Sequence, residues 1–533
     1  MITNTVPRVC RLPIAIAVAL SMSVATAAPG GGSNWTGSGY DIQNTRSNKT
    51  ESKIGVANAG QLVQKWRLAT AGDVSATPAV DGSTVYAPDF AGNLYAVDRD
   101  TGAVRWTARI DQLTGIFGNH TRATPAIAGN VLIVGDQAGK SFSPDGWLLG
   151  IDKNSGALLW KTRIAGGFPI ITQSATVHGN VAFVGVASYE EALVRFGFPL
   201  TFRGSVLAVN TRTGAILWQT YMVPDVPGYT GSAVWGSAPA IDTKRKQVYV
   251  ATGNNYSVPT EVTDCIGAAG SPEERAACVD PRNFFDSIVA MDMDTGAVRW
   301  VHKALPDDAW NLSCGIYFIP GLDFEVPGCP DNEGPDYDFG QGPALYTVTT
   351  PDGGKRDLVG AGQKSGVYWA VDADTGAVVW RTQAAPGGLA GGLQWGSSVD
   401  GNRVYVGNSN SEFKEWILKD GSSAGYRGGW SALDAATGEI LWETPNPAYE
   451  RGMGPVSSAN GVIYACSMDD AGHMYAMDAA SGAVLWDFAS GANCLGGAAI
   501  SNGMVFWGSG YDAFKVTPGA NNNQALHAFG LPD

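Results

Sequence analysis

The chain has 533 residues, with 35 Lys and Arg against 49 Asp and Glu, and a net charge of −14. A surface so acidic repels phosphate backbones, so nucleic acid is excluded as an expected partner, whereas a basic electron carrier suits it. The length exceeds what one small core needs and calls for several units or a repeat.

At the N-terminus, Arg8 and Arg11 precede the apolar run "LPIAIAVALSMSV", and "ATA" at Ala25–Ala27 fits a small-residue cleavage site. Residues 1–27 are expected to be a signal peptide, making the mature protein exported and periplasmic. No later apolar run is long enough to span a bilayer. Residues 28–60 are read as an N-terminal extension, and "QLVQKWRLAT" (61–70) as a lone strand.

From there a repeat sets the organisation. "LYAVDRDTGAVRW" ends at Trp106, and six further copies end at Trp160, Trp218, Trp300, Trp380, Trp442 and Trp486. Each has an alternating apolar strand, an Asp/Asn-x-x-Thr/Ser-Gly turn whose Gly takes the left-handed position, and a second strand closed by Trp. Intervening strands such as "NVLIVGD", "QVYVATG" and "RVYVGNS" bring the count to about four per unit, the layout of a propeller blade. After Trp486, "MVFWGSG", "AFKV" and "LHAFGL" read as strands without an eighth turn. The lone strand at 61–70 is expected to complete the last blade, so the fold class is all-β, an eight-bladed β-propeller over residues 61–533. Its repeat Trp residues are expected to pack between blades.

The longest Trp-to-Trp intervals flank Trp300, and the first holds "VTDCIGAAGSPEERAACVD", read as a disulfide-pinned lid within an insertion near 255–283. Six Cys follow the leader. They permit 15 pairings, of which the sequence-local set is preferred: Cys265–Cys278, Cys314–Cys329 and Cys466–Cys494. There is no CxxCH for a covalent haem and no HExxH.

The repeat alone suits a binding scaffold, such as the periplasmic propeller that helps assemble outer-membrane proteins, or a quinoprotein alcohol dehydrogenase. The segments between repeats separate them. "YEE…FRGS", "ATGNNYS", "DDAWN.SC", "GPD.DFG" and "GQKSGV.WA.D" resemble the quinoprotein alcohol dehydrogenases that hold pyrroloquinoline quinone (PQQ) and Ca²⁺ on the propeller axis. The likeness is nearest to the polyvinyl alcohol dehydrogenases, in their quinoprotein part and without a fused cytochrome. The resemblance implies Glu190 and Asn254 as Ca²⁺ ligands, through oxygens of the kind this ion prefers. It implies Trp235 as the flat floor beneath the quinone, Lys364 near its carbonyls, and Arg122 with Thr172 at its carboxylates. Gln394 and Trp395 line the same pocket. It further implies oxidation of secondary alcohols, polyvinyl alcohol among them, with electrons leaving to a separate cytochrome c.

Two positions depart from the wider family. Ile116 and Phe117 stand where adjacent cysteines cap the quinone, and Asn311 stands where an Asp takes the alcohol proton. An amide cannot accept that proton. Asp308 is the preferred replacement base, with Glu191 second, since Glu190 is assigned to the metal. Asn311 keeps an orienting or ligating role, and Asn311→Asp is expected to be tolerated.

Overall fold

The computed structural model describes residues 1–2, 34–139, 143–316, 321–350, 352–423, 427–511 and 523–533. The expected leader, from residue 3 onward, and the strand expected at "AFKV" lie outside the described residues. Residues 33–533 form one compact unit, and no helix among the described residues is long and apolar enough to cross a membrane.

Eight antiparallel sheets follow one another along the chain. Blades 1 to 7 occupy residues 79–109, 126–165, 176–221, 240–303, 344–383, 398–445 and 457–489. Blade 8 takes three strands from residues 499–530, and its outermost strand is Val63–Ala69, paired antiparallel with Ala525–Gly530. The lone N-terminal strand thus closes the ring, as the sequence predicts, and covers the edge that Ala525–Gly530 would otherwise expose.

The repeat signature explains how blades lock. In blade 1, the Asp98 carboxylate accepts from Asp100 N, Thr101 N and Thr101 Oγ1, which fixes the turn. The next residue, Gly102, takes φ +73°, and a Cβ there would come within 2.8 Å of the ring of Trp66, which stands on the outermost strand of blade 8. The same Trp donates its indole N–H to Arg99 O in that turn. The pattern recurs around the ring, with Trp106 bonding Lys153 O, Trp160 bonding Thr211 O, Trp218 bonding Met293 O and Trp300 bonding Ala373 O. Trp380, Trp442 and Trp486 bond Ala435 O, Ala479 O and Leu62 O. Eight blades therefore have eight docking Trp residues. The eighth is Trp66, on the closing strand rather than in a repeat copy. Gly296→Ala tests this packing: the residue sits at φ +73°, and a Cβ would come within 2.6 Å of the Trp218 ring. The substitution should cost about 2–4 kcal/mol, read as a lower urea midpoint at unchanged m-value.

Residues 34–48, within the expected extension, cross the axis. They exchange backbone hydrogen bonds with the innermost strands of six blades, at Val80, Ile127, Ile241, Leu345, Val399 and Ser458, and Asn48 Nδ2 reaches Ile500 O in blade 8. Asn44 Nδ2 donates to Ala238 O, Gly342 O and Pro343 O. This segment plugs the central channel from one end.

The insertion in blade 4 forms two short helices, Thr260–Ala268 and Pro272–Cys278, tied by Cys265–Cys278. Cys314–Cys329 and Cys466–Cys494 are also bridged, so all three sequence-local pairings are present.

Candidate functional site

The loops that lead into the innermost strands converge on the axis at the end opposite the plug's strand contacts. Arg122, Thr172, Trp235, Gln394 and Trp395 all stand three to six residues ahead of an innermost strand, each in a different blade or adjacent pair. Glu191, Asn254 and Lys364 come from loops that follow the second strands of blades 3, 4 and 5. The propeller repeat brings all of these to one place because every blade presents the same two loops to the same end.

Trp235 is held by its edge. Its Nε1–H donates to Asp338 Oδ2 at 2.8 Å, and Asp338 Oδ1 accepts from Asn254 N at 2.8 Å. Lys364, 7% exposed, bonds both oxygens of Asp336 at 2.9 Å and approaches Asp338 at 3.4 Å. Its ammonium stands 5.7 Å from the Trp235 ring centre. Burial draws its pKa down, but the carboxylates of Asp336, Asp338 and Glu191 outweigh this and hold it well above the ordinary lysine value.

Trp395 meets Trp235 edge-on, with centroids 5.2 Å apart at 73°. Its backbone sits at φ +65°, a strained position for a bulky residue, and its Nε1 is buried without an acceptor. The Arg122 guanidinium lies 4.3 Å from the centre of the Trp395 ring and 5.4 Å from that of Tyr511, with no salt bridge to a carboxylate among the described residues. Arg122, Thr172 and Trp395 line one axial cavity of about 410 Å³, counting its open mouth. Gln394 is buried beside Gly340, where a Cβ would touch both Gln394 and Trp235. Ile116 and Phe117, in place of paired cysteines, leave an exposed Phe117. On that side the site is lined by an apolar group of Phe90, Met453, Met468, Leu495, Trp395 and Tyr511.

The two adjacent glutamates part company. Glu190, 1% exposed, is fully engaged by its own loop: its oxygens accept from Thr201 N, Thr201 Oγ1 and Phe202 N, each at 2.6 Å. Glu191 is partly buried, has no hydrogen bond to the protein among the described residues, and faces Asp338, Lys364 and Asp308. Burial first, then Asp338, push its pKa up to about 8. Asn254 donates from Nδ2 to Trp310 O at 2.8 Å, which turns its Oδ1 the other way, without a protein donor among the described residues. Glu190 is thus committed to its own loop, and Glu191 is the carboxylate of the pair without a hydrogen bond to the protein among the described residues.

Asp308 is 2% exposed and accepts from Asp336 N at 3.2 Å and Tyr337 N at 2.8 Å. Burial raises its pKa to about 6. Against it lies Asp286, fully buried, with neither oxygen receiving a protein donor. Burial first, then the Asp308 charge, push the Asp286 pKa well above the ordinary carboxylate value. Behind Asp308 a second cavity runs under the lid, lined by Val258, Ile266, Val279 and Phe285.

Asn311 takes no part. It is fully buried, its Nδ2 donates to Tyr256 O at 3.0 Å and Gly328 O at 2.9 Å, and its Oδ1 caps the short turn Leu312–Cys314 through Ser313 N. The orienting role expected for it is corrected to a structural one, because every polar atom of its amide is already bonded to the fold.

Sequence reasoning assigned no role to Asp286, Asp336 and Asp338. With Glu191 and Asp308 they make a group of five carboxyls around a single lysine, Lys364. "GPDYDFG", which carries Asp336 and Asp338, was visible only as a segment shared with the resembled family. Glu191 and Asn254 offer the uncommitted oxygens a hard cation takes. The flat Trp235 and the half-buried Arg122 without a carboxylate suit a planar acidic cofactor. The residues present thus fit both PQQ and Ca²⁺.

Comparison with known proteins agrees with this arrangement. A polyvinylalcohol dehydrogenase of Pseudomonas sp is 29% identical over 523 residues, covering 90% of this chain and 73% of that protein. Another, from Sphingopyxis sp. (strain 113P3), is also 29% identical with the same coverage. Among solved structures, the quinohemoprotein alcohol dehydrogenase of Comamonas testosteroni superposes with a TM-score of 0.68 at 17% identity, covering 94% of this chain and 80% of that one, which shows a shared fold. The family model described as "Outer membrane protein assembly factor BamB" matches residues 52–301 and 363–502. By that match, over more than half its length, the chain belongs to the family of that model.

Proposed function

We propose that this protein is a periplasmic PQQ- and Ca²⁺-dependent dehydrogenase that oxidises secondary alcohols, polyvinyl alcohol or a related polyol among them, to ketones, and passes electrons to a separate soluble cytochrome c. The observation that carries the reading is the uncommitted Glu191 carboxylate facing Asp338, the residue that bonds both Asn254 N and the edge of Trp235. When bound, the quinone accepts the electron pair from the alcohol carbon and the cation polarises the accepting carbonyl.

The chain's own residues do the rest. Glu191 and Asn254 would hold the cation, Trp235 would form the floor beneath the ring, and Trp395 would line the same pocket. Arg122 and Thr172 take a carboxylate, with Gln394 closing the wall. Asp308 takes the hydroxyl proton, held in place by two backbone N–H groups. The cavity under the insertion, lined by Val258, Ile266, Val279 and Phe285 but also by Asp307, Asp331 and Asn332, adjoins that base. The alternative of a non-catalytic assembly scaffold has the description of the family model in its favour. It gives no reason for a buried five-carboxyl group on the axis. Reconstitution with PQQ and Ca²⁺, followed by dye reduction with primary, secondary, cyclic and polymeric alcohols, tests the proposal. Absence of dye reduction with every alcohol, in protein shown to have bound PQQ, would favour the scaffold.

The acidic group also sets a pH-dependent test. Glu191 at about 8 and Asp308 at about 6 are raised above ordinary carboxylate values, so the folded protein binds more protons than the unfolded chain between pH 4 and 8. Stability of the cation-free protein therefore falls as pH rises through this window. A bound cation offsets that charge, so the rise in Tm on adding Ca²⁺ should be larger at pH 8 than at pH 5.5. A Ca²⁺ effect that is absent, or the same at both pH values, would move the cation away from Glu191.

A further inference from the structure

We propose that the floor of the axial cavity, between the plug and the quinone pocket, binds a small monovalent anion, a halide or a small carboxylate. Arg46, on the plug, is 1% exposed, and its five donor contacts all go to neutral oxygens: Val456 O, Ser38 O, Ser38 Oγ, Thr77 Oγ1 and Ser457 Oγ. It forms no salt bridge among the described residues. Burial alone pulls its pKa down to about 9, the mark of a charge set in a poorly polar place without a counter-charge.

The hydroxyls above it point the same way. Ser38 and Thr77 use their oxygens to accept from Arg46. Ser174 Oγ accepts from Thr124 N at 2.9 Å, and Ser237 Oγ accepts from Gly342 N at 2.7 Å. All four line the cavity, no acidic side chain does, and none of the four hydroxyl hydrogens has a protein acceptor among the described residues. A hydroxyl whose oxygen already accepts keeps its hydrogen for donation. The cavity floor is therefore lined by donors, with Arg46 behind it and Arg122 at its mouth. Water would satisfy the hydrogens but would leave the Arg46 charge uncompensated; an anion does both. Under the proposed function Arg122 faces the cofactor. The floor site belongs to Ser38 and Thr77 and does not rest on that reading.

Crystals of the full protein soaked in bromide, with and without PQQ, should show an anomalous peak bounded by Ser38, Thr77 and Ser174 in both states, reduced when formate competes. In solution, replacing a bulky anion by chloride, bromide or formate at fixed ionic strength should raise Tm by at least about 2 °C. Thr77→Val and Ser237→Ala should abolish this anion-dependent gain whatever they do to baseline stability, and formate against bromide separates the two sources. Ordered water at the floor, a peak confined to Arg122 that PQQ displaces, bromide seen only at crystal concentration with no effect on Tm, or a gain unchanged in both variants would each overturn the proposal.

Discussion

Asp308→Asn should lower turnover by about 10²–10⁴-fold while leaving PQQ bound, the usual cost of losing a general base. The substitution is nearly isosteric, and the new amide can still accept one of the two backbone N–H groups now bonded to Asp308 and donate toward Asp286. The cofactor floor is untouched, because Trp235 is fixed by Asp338 rather than by Asp308. Retained PQQ absorbance with lost dye reduction is the expected pair of readings. The wild-type rate should rise with pH through a midpoint at or below about 6, since a bound cation nearby favours the ionised form, and the variant should lose that limb. Glu191→Gln provides the contrast. If Glu191 holds the cation, that variant should regain activity at high Ca²⁺. If it stays inactive at saturating Ca²⁺ while Asp308→Asn turns over normally, the base is Glu191 and the roles exchange.

Asn311→Asp should be the most destabilising single exchange near the site, although it restores the residue of the wider family. One oxygen of the new side chain would keep the bond to Ser313 N. The other would replace an amide that now donates to two carbonyls, Tyr256 O at 3.0 Å and Gly328 O at 2.9 Å, in a fully buried position. An ionised oxygen there repels both, and a protonated one satisfies a single carbonyl. The cost should be about 3–5 kcal/mol, as for other uncompensated buried charges, and should shrink at low pH where the new group is neutral. Urea unfolding at pH 5 and pH 8 reads this directly. Equal stability to wild type at both pH values would return residue 311 to the list of groups free to face substrate.

The blade count, the ring closure, the lid and the disulfides were legible because each has a periodic or local signature. A Gly at a left-handed turn and a Trp closing a strand recur at readable spacing, and "KWRLAT" supplied the strand that carries the eighth Trp. The site was legible only in part. Glu190 and Glu191 lie on a one-turn helix, where adjacent residues diverge by about 100°. Which of them faces the axis depends on how the loop 198–203 folds back, and no local pattern encodes that. Asn311 looked like a displaced catalytic residue, yet Asn ahead of a short turn is also a helix-cap signature, and the structure uses it so. Asp286 follows two Phe residues and reads as an ordinary strand entry. Its significance comes from Asp308, which is near it only because the outer end of blade 4 folds back onto the axis. Arg46 showed nothing in sequence, since a buried cation without an acidic partner has no pattern.

The closing strand and the axial plug also constrain how the molecule can be made. Val63–Ala69 needs Ala525–Gly530 as its partner, and residues 34–48 need the inner strands of blades at both ends of the chain. A polypeptide synthesised from its N-terminus carries Val63–Ala69 without its partner, and residues 34–48 with only part of theirs, until the final blade exists. Ring closure is therefore a post-synthetic event joining residues more than 450 positions apart, entropically tolerable but slow. Until then Ala525–Gly530 is an open edge, the form most exposed to aggregation. Afterwards the first residues made are clamped by the last, so release of either terminus requires the ring to open, and the folded protein should owe its persistence to a high unfolding barrier as much as to its equilibrium stability.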